Sequence, residues 1–267
     1  MTNTRRNLLK GMALGLGSQY LPSPLMAQDS KQQKRRLGLI FPVIDRGVPE
    51  EGITLYGDSI EYVIENLDLK TMTPEGYDAV IDDIPQKAMN LVNRDVEAIM
   101  VMGTSLTFYQ GREFNERLTR TVHESTGLPT STMSNGIING LNEVGGKNIV
   151  CATAYNDEVN DRLVRFLTQH DFNVLNIEGL GIEAVEDIFS VTDPQLINFC
   201  SDVKAKADEA DAMLISCGGL ITLDILAPVE ARTHIPAVSS TPHALYEGAQ
   251  LLGMDAKVPG YGQLLSG

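Results

Sequence analysis

Short, unbroken apolar runs recur along this chain. They alternate with longer stretches in which apolar residues return every three or four positions. The runs at 37–42, 98–102, 149–154, 172–177 and 213–216 read as strands buried on both faces. Helical spacing is predicted over 78–94, where Ala79, Val80, Ile84, Ala88, Leu91 and Val92 share a face, and over 113–125, 157–170 and 193–210. Boundary chemistry agrees. Gly127 and Pro129 close one helix, Asn156 or Asp157 caps another, and Thr192-Asp193-Pro194 opens a third. Residues 53–66 read as a loop or a helix entry. Apolar strands alternating with helices imply parallel βα units, so the predicted class is α/β.

The pattern also echoes itself. The run from Ala98 through Gly103, Thr104 and Ser105 parallels the run from Ala212 through Cys217, Gly218 and Gly219. Each leads through a helix to a second similar strand, at 128–134 and 235–240. Apolar helices ending near Gly145 and Gly253 follow. This predicts two similar parallel-sheet βα domains related by pseudo-twofold symmetry, with the active site in the cleft between them. The halves are 35–145, joined by a C-terminal helix at 242–267, and 146–241. Ligands of open parallel sheets bind beyond the strand C-terminal ends. Gly103 and Cys217 are therefore expected on opposite walls of one pocket.

Residues 1–27 read as an address and not as part of the fold. Arg5-Arg6 precedes a short Gly-rich apolar run and then Leu25-Met26-Ala27, the pattern of a twin-arginine export signal cut after Ala27. A periplasmic location is the expectation. The apolar run is too short to span a bilayer, and no other approaches that length.

Composition narrows the chemistry. The 267 residues carry a formal charge of −14, which argues against nucleic acid or an anionic membrane as partner. The three Cys define no disulfide framework, and the four His fall in no metal-binding spacing. The glycine pairs lack the strand–turn–helix setting of a dinucleotide site, so no cofactor and no metal are expected. The chain is expected to act as a monomer or small homo-oligomer on a small-molecule substrate.

Cys217 stands at a strand end before two glycines, where backbone N–H groups can approach an anion beside a thiol. Thr104 and Ser105 follow Gly103 in the matching place, and Tyr155 ends the strand at 149–154. Cys151, in mid-strand, and Cys200, on an apolar helix face, read as inert buried thiols.

These residues sit within a larger set of motifs: Thr73-Pro74-Glu75-Gly76-Tyr77, Met102-Gly103-Thr104-Ser105-Leu106, Ala152-Thr153-Ala154-Tyr155, Ser216-Cys217-Gly218-Gly219-Leu220 and Pro259-Gly260-Tyr261-Gly262. Taken together they resemble arylmalonate decarboxylases, within the aspartate/glutamate racemase superfamily that also holds maleate cis-trans isomerases. Two-cysteine members of that superfamily carry a thiol in each half. Here Gly103 replaces the first, which is the decarboxylase pattern. The resemblance implies a cofactor-free decarboxylase of disubstituted aryl or alkenyl malonates, working through an enediolate. Cys217 would be the single proton donor. Thr104, Ser105, Tyr155 and the N–H groups of Cys217 and Gly218 would form a dioxyanion hole. Pro42, Leu69, Met72, Leu106, Val185 and Ile188 would form an apolar pocket for the departing carboxylate. Met72, Ile188 and Val43 depart from the family pattern. The alternatives are a maleate isomerase or Asp/Glu-type racemase, and a periplasmic carboxylate-binding protein.

Overall fold

The computed structural model describes residues 33–43, 47–71, 73–182, 185–188 and 190–267. The export-signal segment and Met72 lie outside the described residues, as does the side chain of Val185.

Two four-stranded parallel sheets organise the chain. The first has the order β2 (Ile60–Asn66), β1 (Arg35–Phe41), β3 (Ala98–Val101), β4 (Thr130–Thr132). The second runs β6 (Asn173–Gly179), β5 (Asn148–Thr153), β7 (Ala212–Ser216), β8 (Ala237–Ser239). The order is the same in both, as the internal echo demands. Every residue of β3 and β7 is buried, because helices cover both faces of a central parallel strand. The fold is α/β.

Three elements differ from the sequence expectation. Residues 53–66 hold a helix, Glu50–Tyr56, and then the edge strand β2. Its polar positions disguise it. Glu61 pairs with Arg36 and Glu65 with Arg94, both along the sheet margin. The expected helix 78–94 is two, Pro74–Ile81 and Ile84–Val92. Pro85 lies in the first turn of the second, where it lacks an N–H and would clash with the carbonyl of Ile81 in a continuous helix. The strands expected at 128–134 and 235–240 shorten to three residues each. Helices Met133–Glu143 and Ser240–Leu251 begin at once, the former capped by Thr132 Oγ1 accepting from the Asn135 N–H at 3.0 Å.

These two helices occupy equivalent places in the two halves and pack against each other. A Cβ added at Gly136 would fall 2.9 Å from the His243 carbonyl oxygen and 3.0 Å from the Ala244 Cα, so only glycine permits this approach. The helix Ser240–Leu251 also covers the first sheet, where Gly248 lies against Leu37 and Met100.

Parallel register brings the reactive ends together. Val101 pairs with Thr132, and Thr153 pairs with Ser216. The residues just beyond β3, β5 and β7 include Gly103, Tyr155 and Cys217, at the same ends of their strands.

Candidate active site

A cavity of about 620 Å³ lies beyond these strand ends. Gly103, Thr104, Ser105, Tyr155, Cys217 and Gly218 all line it, so both halves contribute. Pro42, Leu69, Leu106 and Ile188 supply apolar lining. Nine sequence-selected residues therefore have their places here along with Gly103. Val185 opens the short helix Val185–Ile188, whose last residue reaches the cavity.

The first wall is built by a tight turn. Gly103 has φ 98° and ψ 97°, a backbone region closed to residues bearing a Cβ, and it starts the helix Thr104–Phe108. The turn aims Thr104 inward. Its hydroxyl, 2 % exposed, donates to Ser240 Oγ at 3.0 Å and also lies 3.0 Å from Met133 Sδ. Met133 and Ser240 are the first residues of the two equivalent helices. The Thr104 hydroxyl thus joins residues that start both helices. Ser105 Oγ accepts from the Tyr77 hydroxyl at 2.8 Å. Burial above all pushes the Tyr77 phenol up to about 12, and nearby Cys217 adds to the shift. Tyr77 therefore stays protonated and continues to orient Ser105.

Tyr155 is fixed from the other half. Its N–H donates to Thr153 Oγ1 at 3.2 Å, and its ring meets Phe108 edge-on at 6.0 Å. The hydroxyl lies 3.3 Å from Ser216 Oγ. Burial drives its pKa well above the tyrosine range, and Cys217 pushes the same way. Hydrogen bonds with Ser216 and Thr104 act in the opposite sense. The phenol is a permanent donor at neutral pH.

Cys217 is 8 % exposed, at the cavity surface. Its N–H, expected to face a ligand, donates to Ser240 Oγ at 3.2 Å. Gly218 is flanked closely: a Cβ there would meet Met133 Sδ at 3.1 Å and Thr104 Oγ1 at 3.8 Å. The backbone beside the thiol packs this closely on the Met133 thioether because it carries no side chain, while the Thr104 hydroxyl stands at ordinary contact distance. The other thiols sit apart from this chemistry. Cys151 and Cys200 are fully buried, and burial pushes Cys151 far above the thiol range and Cys200 to about 12.

Sequence reasoning missed Ser240 and Met133, and it met Tyr77 only within a motif. The internal echo carried the missing signal, because Met133 and Ser240 follow the paired strands β4 and β8 at once. Among the described residues no group of three or more His, Cys, Asp or Glu is placed to hold a metal ion, and no helix is long and apolar enough to cross a membrane.

Such a cavity offers the hydroxyls of Thr104, Ser105 and Tyr155 on the same lining as one thiol, with apolar walls around them. It can grip one carboxylate in the donor cluster while its walls leave a second poorly solvated.

Comparison with known proteins places this geometry. The family model for arylmalonate decarboxylase matches residues 37–265. Arylmalonate decarboxylase of Bordetella bronchiseptica is 41% identical over 229 residues, covering 85% of this chain and 95% of that protein. A crystal structure of an arylmalonate decarboxylase double mutant (glycine to cysteine, cysteine to serine) in liganded form superposes with a TM-score of 0.84 at 39% identity. That match covers 87% of this chain and 99% of the other. Maleate isomerase Iso of Pseudomonas putida S16 shares the fold, with a TM-score of 0.80 at 20% identity, over 88% of this chain and 99% of the other.

Proposed function

The chain belongs to the arylmalonate decarboxylase family and is a carboxy-lyase; from that premise we propose that it decarboxylates aryl- or alkenyl-substituted malonates without a cofactor, with Cys217 as sole proton donor. The substrate is a malonate dianion with two substituents on its central carbon. One C–C bond breaks, its electron pair passes into the remaining carboxylate, and CO₂ departs. The planar enediolate then takes one proton at the α-carbon and becomes a chiral monocarboxylate. The thiolate left behind regains its proton from solvent.

Each residue has a physical task. Ser105 and Tyr155 donate to the retained carboxylate, whose charge grows as the enediolate forms; Thr104 turns its hydroxyl from Ser240 to join them, and the Gly218 N–H completes the cradle, the Cys217 N–H being held by Ser240. Donors fixed where charge develops are typically the largest catalytic contribution, each worth roughly 10²–10³ in rate. The leaving carboxylate lies against Pro42, Leu69, Leu106 and Ile188, to which Met72 and Val185 are added. Apolar walls do not solvate a charge, so release of neutral CO₂ removes the mismatch. An aryl or alkenyl substituent spreads the carbanion charge, so the reaction needs no separate electron sink.

The observation that carries this reading is one thiol on a cavity whose matching strand end offers Gly103. A racemase or two-base isomerase needs a second acid there. One donor on one wall delivers the proton to one face.

The test is 2-methyl-2-phenylmalonate incubated with the purified protein in D₂O and followed by NMR. Release of CO₂ with one deuterium at the α-carbon, a single product enantiomer, and near-complete loss of turnover in Cys217→Ala are expected. No CO₂ across a panel of aryl and alkenyl malonates overturns the reading. The twin-arginine pattern supports a periplasmic site of action. Cell fractionation with an Arg5→Lys, Arg6→Lys double variant tests that part: the protein should remain in the cytoplasm.

A further inference from the structure

The loop bearing Cys217 leaves β7 and reaches a 3-10 turn at Leu223–Ile225, which continues into the helix Leu226–Thr233. At its start the loop is held by the helix Ser240–Leu251. Ser240 Oγ accepts the Cys217 N–H at 3.2 Å, and Thr241 Oγ1 donates to the Gly218 carbonyl at 3.2 Å. At its far end the anchor comes from the opposite half of the chain. Glu51, in the first turn of helix Glu50–Tyr56, is 8 % exposed. Its Oε1 accepts the N–H groups of Thr222 at 2.8 Å and Leu223 at 2.9 Å. The opening N–H groups of a helical segment have no partners within it, and a carboxylate satisfies them well.

This anchor is joined to the substrate cradle. Thr222 Oγ1 donates to Ser239 Oγ at 3.0 Å. The next residue, Ser240, accepts from both Cys217 and Thr104. A hydrogen-bonded path therefore runs from Glu51 through Thr222 and the Ser239–Ser240 step to the thiol loop and the Thr104 hydroxyl. Between the two anchors Leu220 is buried in the core and its N–H donates to the Cys217 carbonyl at 3.1 Å, whereas Ile221 is 58 % exposed, so the stretch next to Thr222 depends on the Glu51 anchor.

We propose that Glu51 is a positioning residue for proton delivery: its carboxylate fixes the far end of the 217–222 loop and thereby the placement of Cys217 against the α-carbon. In its kinetic part the proposal rests on the decarboxylase reading. A proton donor that wanders by an ångström loses rate on the order of 10²-fold and no longer discriminates between the two faces.

The experiment compares wild type, Glu51→Ala, Glu51→Gln and Glu51→Asp, each checked for cooperative melting. Two readouts are taken. One is the rate of Cys217 alkylation by iodoacetamide, resolved by peptide mapping and independent of turnover. The other is kcat, KM and product enantiomeric excess with 2-methyl-2-phenylmalonate. For Glu51→Ala, alkylation should speed up several-fold, kcat should fall on the order of 10- to 100-fold with little change in KM, and enantiomeric excess should drop. Glu51→Gln keeps an acceptor oxygen and should recover most of all three. A folded Glu51→Ala protein with wild-type alkylation, kcat and enantiomeric excess overturns the proposal. Should Glu51→Ala fail to fold, Glu51→Asp decides, because it keeps the charge but withdraws the oxygen by one methylene. The same shifts in milder form support the role, and wild-type values overturn it. If the wild-type protein turns over no malonate, the function reading fails, while the alkylation contrast still judges Glu51.

Discussion

Replacing Gly103 by alanine adds one methyl group at the most constrained point of the cavity wall. The backbone there has φ 98° and ψ 97°, so any L-residue is strained before it touches a neighbour. Holding a non-glycine residue in so sparsely populated a region costs roughly 1–3 kcal/mol. The new Cβ would also lie 2.8 Å from Pro42 Cγ and 3.1 Å from Pro42 Cδ. Carbon atoms rest at about 3.5–4.0 Å, and a proline ring cannot swing aside as a flexible side chain does, so overpacking adds roughly 1–3 kcal/mol. A total of about 2–6 kcal/mol follows. For a chain of this size it lowers Tm by about 5–15 °C. Thermal and urea denaturation of Gly103→Ala, Pro42→Ala and the double variant measure it. The double variant should be less destabilised than the sum of the singles by at least about 1 kcal/mol, because only the overlap with Pro42 is relieved. A Gly103→Ala protein melting within about 1 °C of wild type, or strict additivity in the cycle, refutes the reasoning. The same strain applies to cysteine at this position, so a second thiol on this wall comes at a cost in stability.

Two further outcomes are expected. Thr104→Val keeps the shape but removes the hydroxyl that binds Ser240, so kcat with phenylmalonate should fall on the order of 10²–10³ with little loss of fold, and a loss under about tenfold would remove Thr104 from the cradle. His243 is fully buried, and that burial lowers its pKa to about 4, against the pull of its Ser239 hydrogen bond. Above the unfolded value of about 6.5 both states are neutral. As pH falls from there toward 4 the unfolded chain gains a proton that the folded chain refuses, so stability drops by about 3 kcal/mol over that window. Urea titrations at pH 7 and 4.5 should show this drop, and His243→Gln should flatten it; parallel curves for the two proteins would exclude His243 as the source.

The central strands were legible because both of their faces are covered, which leaves a plain apolar run such as Ala98–Val101. The edge strand Ile60–Asn66 was not, since its margin carries Glu61 and Glu65 paired to arginines, and charges there look like loop. Pro85 held the information that one helix was two, but amphipathic spacing on either side ran through it. The cavity's thiol and hydroxyls were legible because tight turns at strand ends need glycine, and Gly103 and Gly218 mark the positions. Ser240 and Glu51 were not legible. Their bonds to Thr104 and Thr222 span 136 and 171 residues, and neither stands in a local pattern that separates it from an ordinary helix-start residue.

The glycine contact between the two central helices reaches beyond packing. With the Gly136 backbone pressed against that of His243 and Ala244, and Glu247 bonded to Ser131 and Asn139 beside it, the helices Met133–Glu143 and Ser240–Leu251 share a closely packed seam. Because Gly140 of the first helix also meets Val238 of β8 while Gly248 of the second meets Leu37 of β1, the seam ties both sheets together, and two modules that look separable on paper should melt in a single calorimetric transition.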